Sequence, residues 1–203
     1  MIADDPRIPL RGRLHFGPTR IALDILEARS LIEAIPLGHH PQRWLDLGCG
    51  EGVFTRALAT LLPTGSSIEA WDLDLHALSS LPKELDGVLI TPRVADFLHT
   101  PLPKALDGIL IANALHYVAD HRNMLKRIVG ALAPGGIVVI GEYDTETPAP
   151  IWVPHPISQK RATALLMACD FDHITPLQRR TSAYGRGDLY TIFAQRSATS
   201  DPK

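Results

Sequence analysis

The stretch Trp44-Leu45-Asp46-Leu47-Gly48-Cys49-Gly50-Glu51-Gly52 combines two structural signals. Its apolar start is typical of a buried strand, and its glycine cluster predicts a tight turn that brings the backbone close to a ligand. From Val53 onward, apolar residues recur at helical spacing. The sequence therefore predicts a strand, a loop and a helix, the arrangement at which doubly wound sheets bind nucleotides through free backbone N–H groups.

The composition is that of an ordinary globular chain. The 203 residues are 45% hydrophobic and 21% charged, and the formal net charge is -2, so no basic excess points to nucleic acid. No apolar run approaches the ~20 residues of a membrane span, and the N-terminus lacks the features of a signal peptide. We therefore expect one cytoplasmic domain, residues 1–203, with an irregular leader at 1–18, a frayed tail at 197–203 and no membrane partner. Cys49 and Cys169 are expected to be reduced.

Apolar spacing predicts further helices and strands on both sides of the glycine loop. The helix expected ahead of the loop has an apolar stripe formed by Ile21, Ile25, Ala28, Ile32 and Ile35. Downstream, strands are expected at 67–74, 89–94, 106–112 and 137–140, a helix at 158–169, and a hairpin from Phe171–Arg180 and Leu189–Gln195. Pro92 places its strand at an edge, because proline cannot donate to a sheet ladder. The pattern predicts an α/β fold with a mostly parallel sheet.

A carboxylate ends the strand that follows the glycine loop. Asp72 lies about 20 residues beyond that loop, where an ionised carboxylate can accept two hydrogen bonds from the hydroxyls of a ribose. Its alternative role is a helix cap or a solvated strand end. Asp74 fits the capping role better, because it precedes a short helical segment. Asp72 is therefore the predicted ribose ligand.

Five segments in a fixed order carry a resemblance to a known family. They are Leu45–Gly52, Trp71–Asp74, Val94–Phe97, Asp107–His116 and Leu132–Gly136. This series resembles the motif set of class I S-adenosylmethionine-dependent methyltransferases and covers about residues 40–142. A lone glycine loop also occurs in dinucleotide enzymes, whereas five signals in order are much more specific. The resemblance implies a Rossmann-like, seven-stranded, mostly parallel sheet with helices on both faces, a C-terminal antiparallel hairpin, and S-adenosylmethionine as the cofactor.

The resemblance also implies a set of cofactor-binding residues. They are Asp46, Gly48, Cys49, Gly50, Gly52, Asp72, Leu73, Asp96, Phe97 and Asn113. The three glycines would let the backbone approach the methionine part of the cofactor. Asp46 would orient the loop or bind the methionine ammonium, directly or through water. No metal ligand is implied.

The remaining members of that set would hold the other parts of the cofactor. Asp72 would bind the ribose, and Asp96 would accept a hydrogen bond from the adenine amine. Leu73 and Phe97 would pack on the faces of the adenine ring, and Asn113 would line the methionine end. Capping is the alternative role for Asp96.

Candidate catalytic residues follow the fourth and fifth predicted strands. Methyl transfer from a sulfonium is an in-line displacement, in which the protein aligns the acceptor and removes a proton where the acceptor carries one. The candidates are His116, Glu142 and Tyr143. His116 can exchange a proton near neutral pH, although a histidine at this place is at least as often a packing or cofactor-shell residue. In the proline-rich loop that follows, His155 is a further candidate, and Trp152 is expected to anchor the loop.

The segment after the fourth strand favours a small-molecule acceptor. In methylases that act on amines of nucleic-acid bases, the fourth strand typically ends in Asn or Asp followed by two prolines and an aromatic residue. In this sequence Asn113 is followed by Ala114-Leu115-His116 instead. Two rivals stay open: an NAD-dependent oxidoreductase and a non-catalytic cofactor-binding protein of the same fold. Glu51 disfavours the first rival, because a carboxylate inside the loop would repel a pyrophosphate and tolerate a cation.

Overall fold

The computed structural model describes residues 23–149, 151–181 and 187–197. Its elements in chain order are α1 (Ile25–Ile32), β1 (Arg43–Leu47), α2 (Val53–Ala59), β2 (Ser67–Asp72), α3 (Leu75–Leu78), β3 (Glu84–Leu85), β4 (Val88–Val94), β5 (Leu106–Ala112), α4 (His121–Ala131), β6 (Leu132–Tyr143), α5 (Gln159–Met167), β7 (Phe171–Arg180) and β8 (Leu189–Arg196). A short 3₁₀ helix, Leu115–Tyr117, links β5 to α4. In these ranges no helix is both long and apolar enough to cross a membrane.

The strands form one twisted α/β sheet in the order β3-β4-β2-β1-β5-β6-β8-β7. The five strands from β4 to β6 run parallel, while β3, β7 and β8 pair antiparallel to their neighbours. The chain moves outward from β1 through β2 to β4 and then returns to place β5 on the other side of β1. This reversal is the position at which open α/β sheets bind ligands beyond the carboxyl ends of their strands.

Helices cover both faces of the sheet, as the resemblance implies. On one face, α4 and α5 pack on side chains such as Leu45, Ile109 and Val138. On the other face, α1 and α2 pack on residues of the opposite strand parity, such as Trp44 and Leu110. Because both faces are buried, the central strands are mostly apolar on both faces rather than at alternate positions, with Asp46 of β1 among the exceptions.

The expected number of seven strands is wrong by one. Within the described residues the sheet has eight strands, because the two-residue strand β3 turns back onto the start of β4. A two-residue strand is too short to show a period in the sequence. Strand β3 pairs only with the start of β4, where Leu85 lies opposite Val88 and Glu84 lies opposite Leu89. Pro92, further along β4, therefore still lies on an open edge, as expected.

Two boundaries also differ from expectation. Asp24 is the N-cap of α1 and forms a capping box with Glu27, so the helix starts at Ile25. The side chain of Ile25 is partly exposed and does not join the buried stripe. Ile21, the leader and residues 198–203 of the tail lie outside the described residues. The fifth predicted strand is longer than expected, since β6 already begins at Leu132. Asp74, Asp120 and Ser158 cap α3, α4 and α5.

Candidate active site

The glycine loop folds back over the end of β2. The backbone N–H groups of Gly48 and Cys49 both donate to the carbonyl of Trp71, at 2.8 and 3.0 Å. Gly48 has a φ of 72°, and a Cβ at this position would lie 2.5 Å from the Cβ of Ala114. Gly50 also has a positive φ, and a Cβ there would meet no atom within 4 Å. The loop therefore packs tightly at Gly48 and leaves open space beside Gly50, where a ligand can approach the backbone.

Asp72 closes this loop from the end of β2. One of its carboxylate oxygens accepts from the N–H of Gly50 at 2.8 Å, and the other accepts from the N–H of Asp74 at 2.9 Å. The sequence therefore identified a carboxylate that lies directly against the glycine loop. Asp74 caps α3 through the N–H groups of His76 and Ala77, which is the role expected for it.

Asp46 lies beneath the loop and is almost fully buried, with 1% of its surface exposed. Its carboxylate accepts a 2.6 Å hydrogen bond from the hydroxyl of Thr55 in α2. Burial raises the pKa of Asp46 to about 7, the Thr55 bond opposes this shift, and the charge of Asp72 adds to it. Sequence reasoning missed Thr55, although a polar residue on the buried face of an apolar helix was a usable signal.

Cys49 stands beside these carboxylates within the loop. Burial raises the pKa of its thiol, and Asp46 and Asp72 act in the same direction. The thiol therefore stays protonated and unreactive. Cys49 and Cys169 are both free.

The end of β4 carries the residues expected around an adenine ring. Asp96 accepts from the N–H of Leu98 at 2.9 Å and lies 2.7 Å from Nδ1 of His99. Partial burial opposes its ionisation, but these two bonds prevail and lower the pKa of Asp96. Phe97 is partly buried against the core, whereas Leu73 has 68% of its surface exposed at the same edge of the sheet.

Asn113 ends β5 in a left-handed backbone conformation with a φ of 53°. Its N–H donates to the carbonyl of Gly141 at 2.8 Å. Its side-chain oxygen is buried, and in the part of the chain that the structure describes it has no hydrogen-bond partner. A buried acceptor without a donor is rare and costly, so this oxygen fits a ligand that brings a donor.

His116 and Glu142 form a buried pair between the 3₁₀ helix and β6. Nδ1 of His116 lies 2.8 Å from one carboxylate oxygen of Glu142, and the backbone N–H of His116 donates to the other oxygen at 3.1 Å. Only 4% of His116 and 1% of Glu142 is exposed. Because an ionised carboxylate can only accept, Nδ1 carries the proton of this hydrogen bond, and Nε2 lies on the other side of the ring.

Tyr143 and the loop after it surround this pair only in part. Tyr143 extends from the next position of β6 and packs against the opposite face of the sheet from Glu142. His155 is exposed, but its N–H donates to the carbonyl of His116 at 3.0 Å. The structure thus joins His116 to Glu142 and brings the backbone of His155 to them, while Tyr143 points elsewhere.

A second buried histidine lies close to the pair. His121, the first residue of α4, is 3% exposed, and within the described ranges neither ring nitrogen makes a hydrogen bond. Burial lowers the pKa of His121, and the charge of Arg161 acts in the same direction, whereas Glu142 opposes it. His121 is therefore neutral in the folded protein.

His121 predicts acid-sensitive folding. The unfolded chain binds a proton on this residue below about pH 6.5, while the folded protein resists it, so stability is lost as the pH falls through that value. We expect His121→Leu to reduce the difference in unfolding free energy between pH 7.5 and pH 5.5, measured by urea denaturation. A variant that retains the full acid sensitivity of the wild type would contradict this assignment.

Residues 45–140 match a family model described as a methyltransferase domain. A trans-aconitate 2-methyltransferase of Pseudomonas paraeruginosa is 28% identical over 144 residues, which are 67% of this chain and 50% of that protein. The chain carries a methyltransferase domain. The family resemblance is thereby confirmed, and the NAD-dependent oxidoreductase loses its support.

Other relatives of this methyltransferase domain are similarly distant. An uncharacterized methyltransferase of Mycobacterium bovis is 32% identical over 118 residues, 57% of each chain. The chain spans about half the length of the curated relatives it matches.

Solved structures agree with the methyltransferase fold. A Haemonchus contortus phosphoethanolamine N-methyltransferase in complex with S-adenosyl-L-methionine is 17% identical, with a TM-score of 0.66 over 85% of this chain and 52% of that one. The [4+2]-cyclase SpnF is 15% identical, with a TM-score of 0.65 over 85% of this chain and 81% of that one. A neighbour named as a cyclase shows that the fold alone does not determine the reaction.

Proposed function

We propose that this domain binds S-adenosylmethionine along the carboxyl edge of β4, β2, β1 and β5 and transfers its methyl group to a small-molecule acceptor by in-line displacement. The glycine loop and Asp72 carry the proposal, because the carboxylate and the N–H of Gly50 already lie 2.8 Å apart beside open space. The cofactor supplies an electrophilic methyl group on a sulfonium; the protein supplies alignment and charge.

The charges at this edge fit a cationic ligand. Asp46, Glu51, Asp72 and Asp96 contribute carboxylates at or near the glycine loop, and Asn113 adds a buried oxygen that has no donor among the described residues. Acceptor groups of this kind favour the ammonium and sulfonium of S-adenosylmethionine and would repel a pyrophosphate. The resemblance implies the ribose role of Asp72, the adenine role of Asp96 and the methionine role of Asn113, and their common position at this edge supports those roles.

His116 and Glu142 are the proposed general base and its positioning residue. With Nδ1 held by Glu142, the Nε2 lone pair of His116 is set to accept a proton from an acceptor hydroxyl, amine or carbon acid. An acceptor that is already ionised, such as a carboxylate, would need no base. Tyr143 packs toward the other face of the sheet, so it has the weakest support of the three proposed catalytic residues.

Calorimetry with S-adenosylmethionine and with NAD tests the cofactor directly. We expect S-adenosylmethionine alone to bind, and Asp72→Ala to weaken it about tenfold or more, because two charge-assisted hydrogen bonds to the ribose are lost. Asp74→Ala is the matched control, since it removes a carboxylate two residues away that caps α3. Absence of S-adenosylmethionine binding at millimolar concentration would refute the proposal.

Product detection then tests the transfer step. S-adenosylhomocysteine formation would be followed by mass spectrometry with a panel of small acceptors that includes trans-aconitate, the substrate named in several relatives. Methylation of a panel member supports the proposed reaction. Tight cofactor binding with no transfer to any acceptor would favour the non-catalytic alternative.

A further inference from the structure

The loop between β6 and α5 is closed at its base by polar contacts. The carboxylate of Asp144 accepts from the N–H of Gln159 at 2.9 Å and pairs with the guanidinium of Arg179. Ser158 donates through its hydroxyl to Glu146 at 2.9 Å. These contacts fix both ends of the loop, so its position is set by the same elements that form the sheet.

Backbone hydrogen bonds also connect the described residues at the tip of this loop, 149 and 151–153. Ala149 and Val153 exchange backbone hydrogen bonds of 2.9 and 2.7 Å, and the N–H of Trp152 also donates to Ala149, at 2.8 Å. The residues after the tip are also hydrogen-bonded to the rest of the domain. The backbone N–H of His155 donates to the carbonyl of His116, and the carbonyl of Ile157 accepts from the hydroxyl of Tyr190 at 3.0 Å. The tip is therefore connected, through the backbone of His155, to the segment that carries the proposed general base.

The side chains at the tip are apolar and exposed. Ile151 has 80% of its surface exposed and Trp152 has 51%, whereas Trp44 and Trp71 are 1% and 0% exposed. Trp152, expected to anchor the loop, thus keeps half of its surface available. Two adjacent large apolar side chains are thus exposed on this turn, which is typical of a surface that contacts a ligand.

The distance along the chain limits what this surface recognises. Trp152 and His155 are three positions apart in the chain, so their Cα atoms lie at most about 11 Å apart. The N–H of His155 is 3.0 Å from the carbonyl oxygen of His116. That span is about the size of a small ring compound. A macromolecular partner is not required to bridge the tip and the base.

We infer that Ile151 and Trp152 form the apolar wall of the acceptor site, and that the methyl acceptor carries a flat apolar group, such as an aromatic ring, beyond the methylated atom. The inference rests on the proposed function, since it places this wall next to the site of transfer. Trp152 is then a specificity-determining residue that contacts the acceptor and not the cofactor.

Calorimetry with the chain saturated in S-adenosylhomocysteine tests the inference. The probes are 2-naphthoate, which is aromatic, and trans-aconitate, which is not. We expect Trp152→Ala to weaken 2-naphthoate binding about tenfold and to leave S-adenosylhomocysteine affinity unchanged. The control is Met167→Ala, which removes a side chain that is 66% exposed at the far end of α5 and should change neither affinity.

Fluorine NMR locates the probe without any use of activity. 5-Fluorotryptophan gives one resonance for each of the three tryptophans of the sequence, and Trp152→Phe identifies the one from the tip. Addition of 2-naphthoate should shift that resonance and leave those of Trp44 and Trp71 in place.

Three results would overturn the inference: no 2-naphthoate binding to the wild type, equal binding to Trp152→Ala, or a dimer that Trp152→Ala converts to a monomer without any change in probe affinity. Failure of the proposed function is distinct, because it appears as a lack of S-adenosylhomocysteine binding in a separate titration.

Discussion

His116→Ala is expected to lower the free energy of unfolding by about 3 kcal/mol, the cost of leaving a buried carboxylate without its side-chain donor. The reason is that Glu142, 1% exposed, loses the ring nitrogen 2.8 Å away and remains buried with only the backbone N–H of His116 as a donor. Urea denaturation at pH 7.5 measures the change. The double variant His116→Ala/Glu142→Ala removes the carboxylate as well and should recover part of the loss, in a double-mutant cycle.

The same pair predicts the largest effect on turnover. Glu142→Gln presents an amide to Nδ1, which can reverse the tautomer and place the proton on Nε2, so the base is lost with little change in shape. We expect kcat to fall about 10²–10⁴-fold while the affinity for S-adenosylmethionine is unchanged. If Glu142→Gln and His116→Ala both retained wild-type turnover, the pair would have a structural role only.

The sequence contained enough information for the parallel core of the fold and for the edge that carries the site. Strands buried on both faces are continuously apolar, so β1 and β5 were visible as runs, and their ends located Asp46 and Asn113. Gly108 inside such a run also has a reason that only the packing reveals. A Cβ there would lie 2.3 Å from the ring of Trp44 on β1.

The contacts between distant residues could not be predicted in this way. His116 and Glu142 are 26 residues apart, and their pairing depends on how the 3₁₀ helix turns over the end of β6. The β6–α5 loop is likewise closed by a contact between distant residues, the pairing of Asp144 with Arg179 of β7. Periodicity identifies elements and their buried faces, but it carries no information on which polar side chains meet beyond the strand ends.

Asp46→Asn is expected to stabilise the cofactor-free protein. Burial raises the pKa of Asp46 to about 7 from an ordinary value of 3.8, so the folded protein holds a proton that the unfolded chain releases. Stability contributed by this residue therefore falls as the pH rises from about 4 to about 7 and stays low above that. The variant keeps an oxygen for the Thr55 hydroxyl and removes the buried charge. Its gain in unfolding free energy should be largest at pH 8 and should shrink toward pH 5.

The same substitution should abolish most of the proposed cofactor affinity. With its pKa near 7, Asp46 is mostly protonated at pH 6 and mostly ionised at pH 8, and only the ionised form attracts the cationic end of S-adenosylmethionine. Wild-type affinity, measured by calorimetry, should therefore rise about tenfold between these pH values, while Asp46→Asn should bind weakly at both. Thr55→Ser, which keeps the hydroxyl donor, is the control and should retain the rise. A wild-type affinity that is flat from pH 6 to pH 8 would mean that Asp46 orients the loop without sensing the charge of the cofactor.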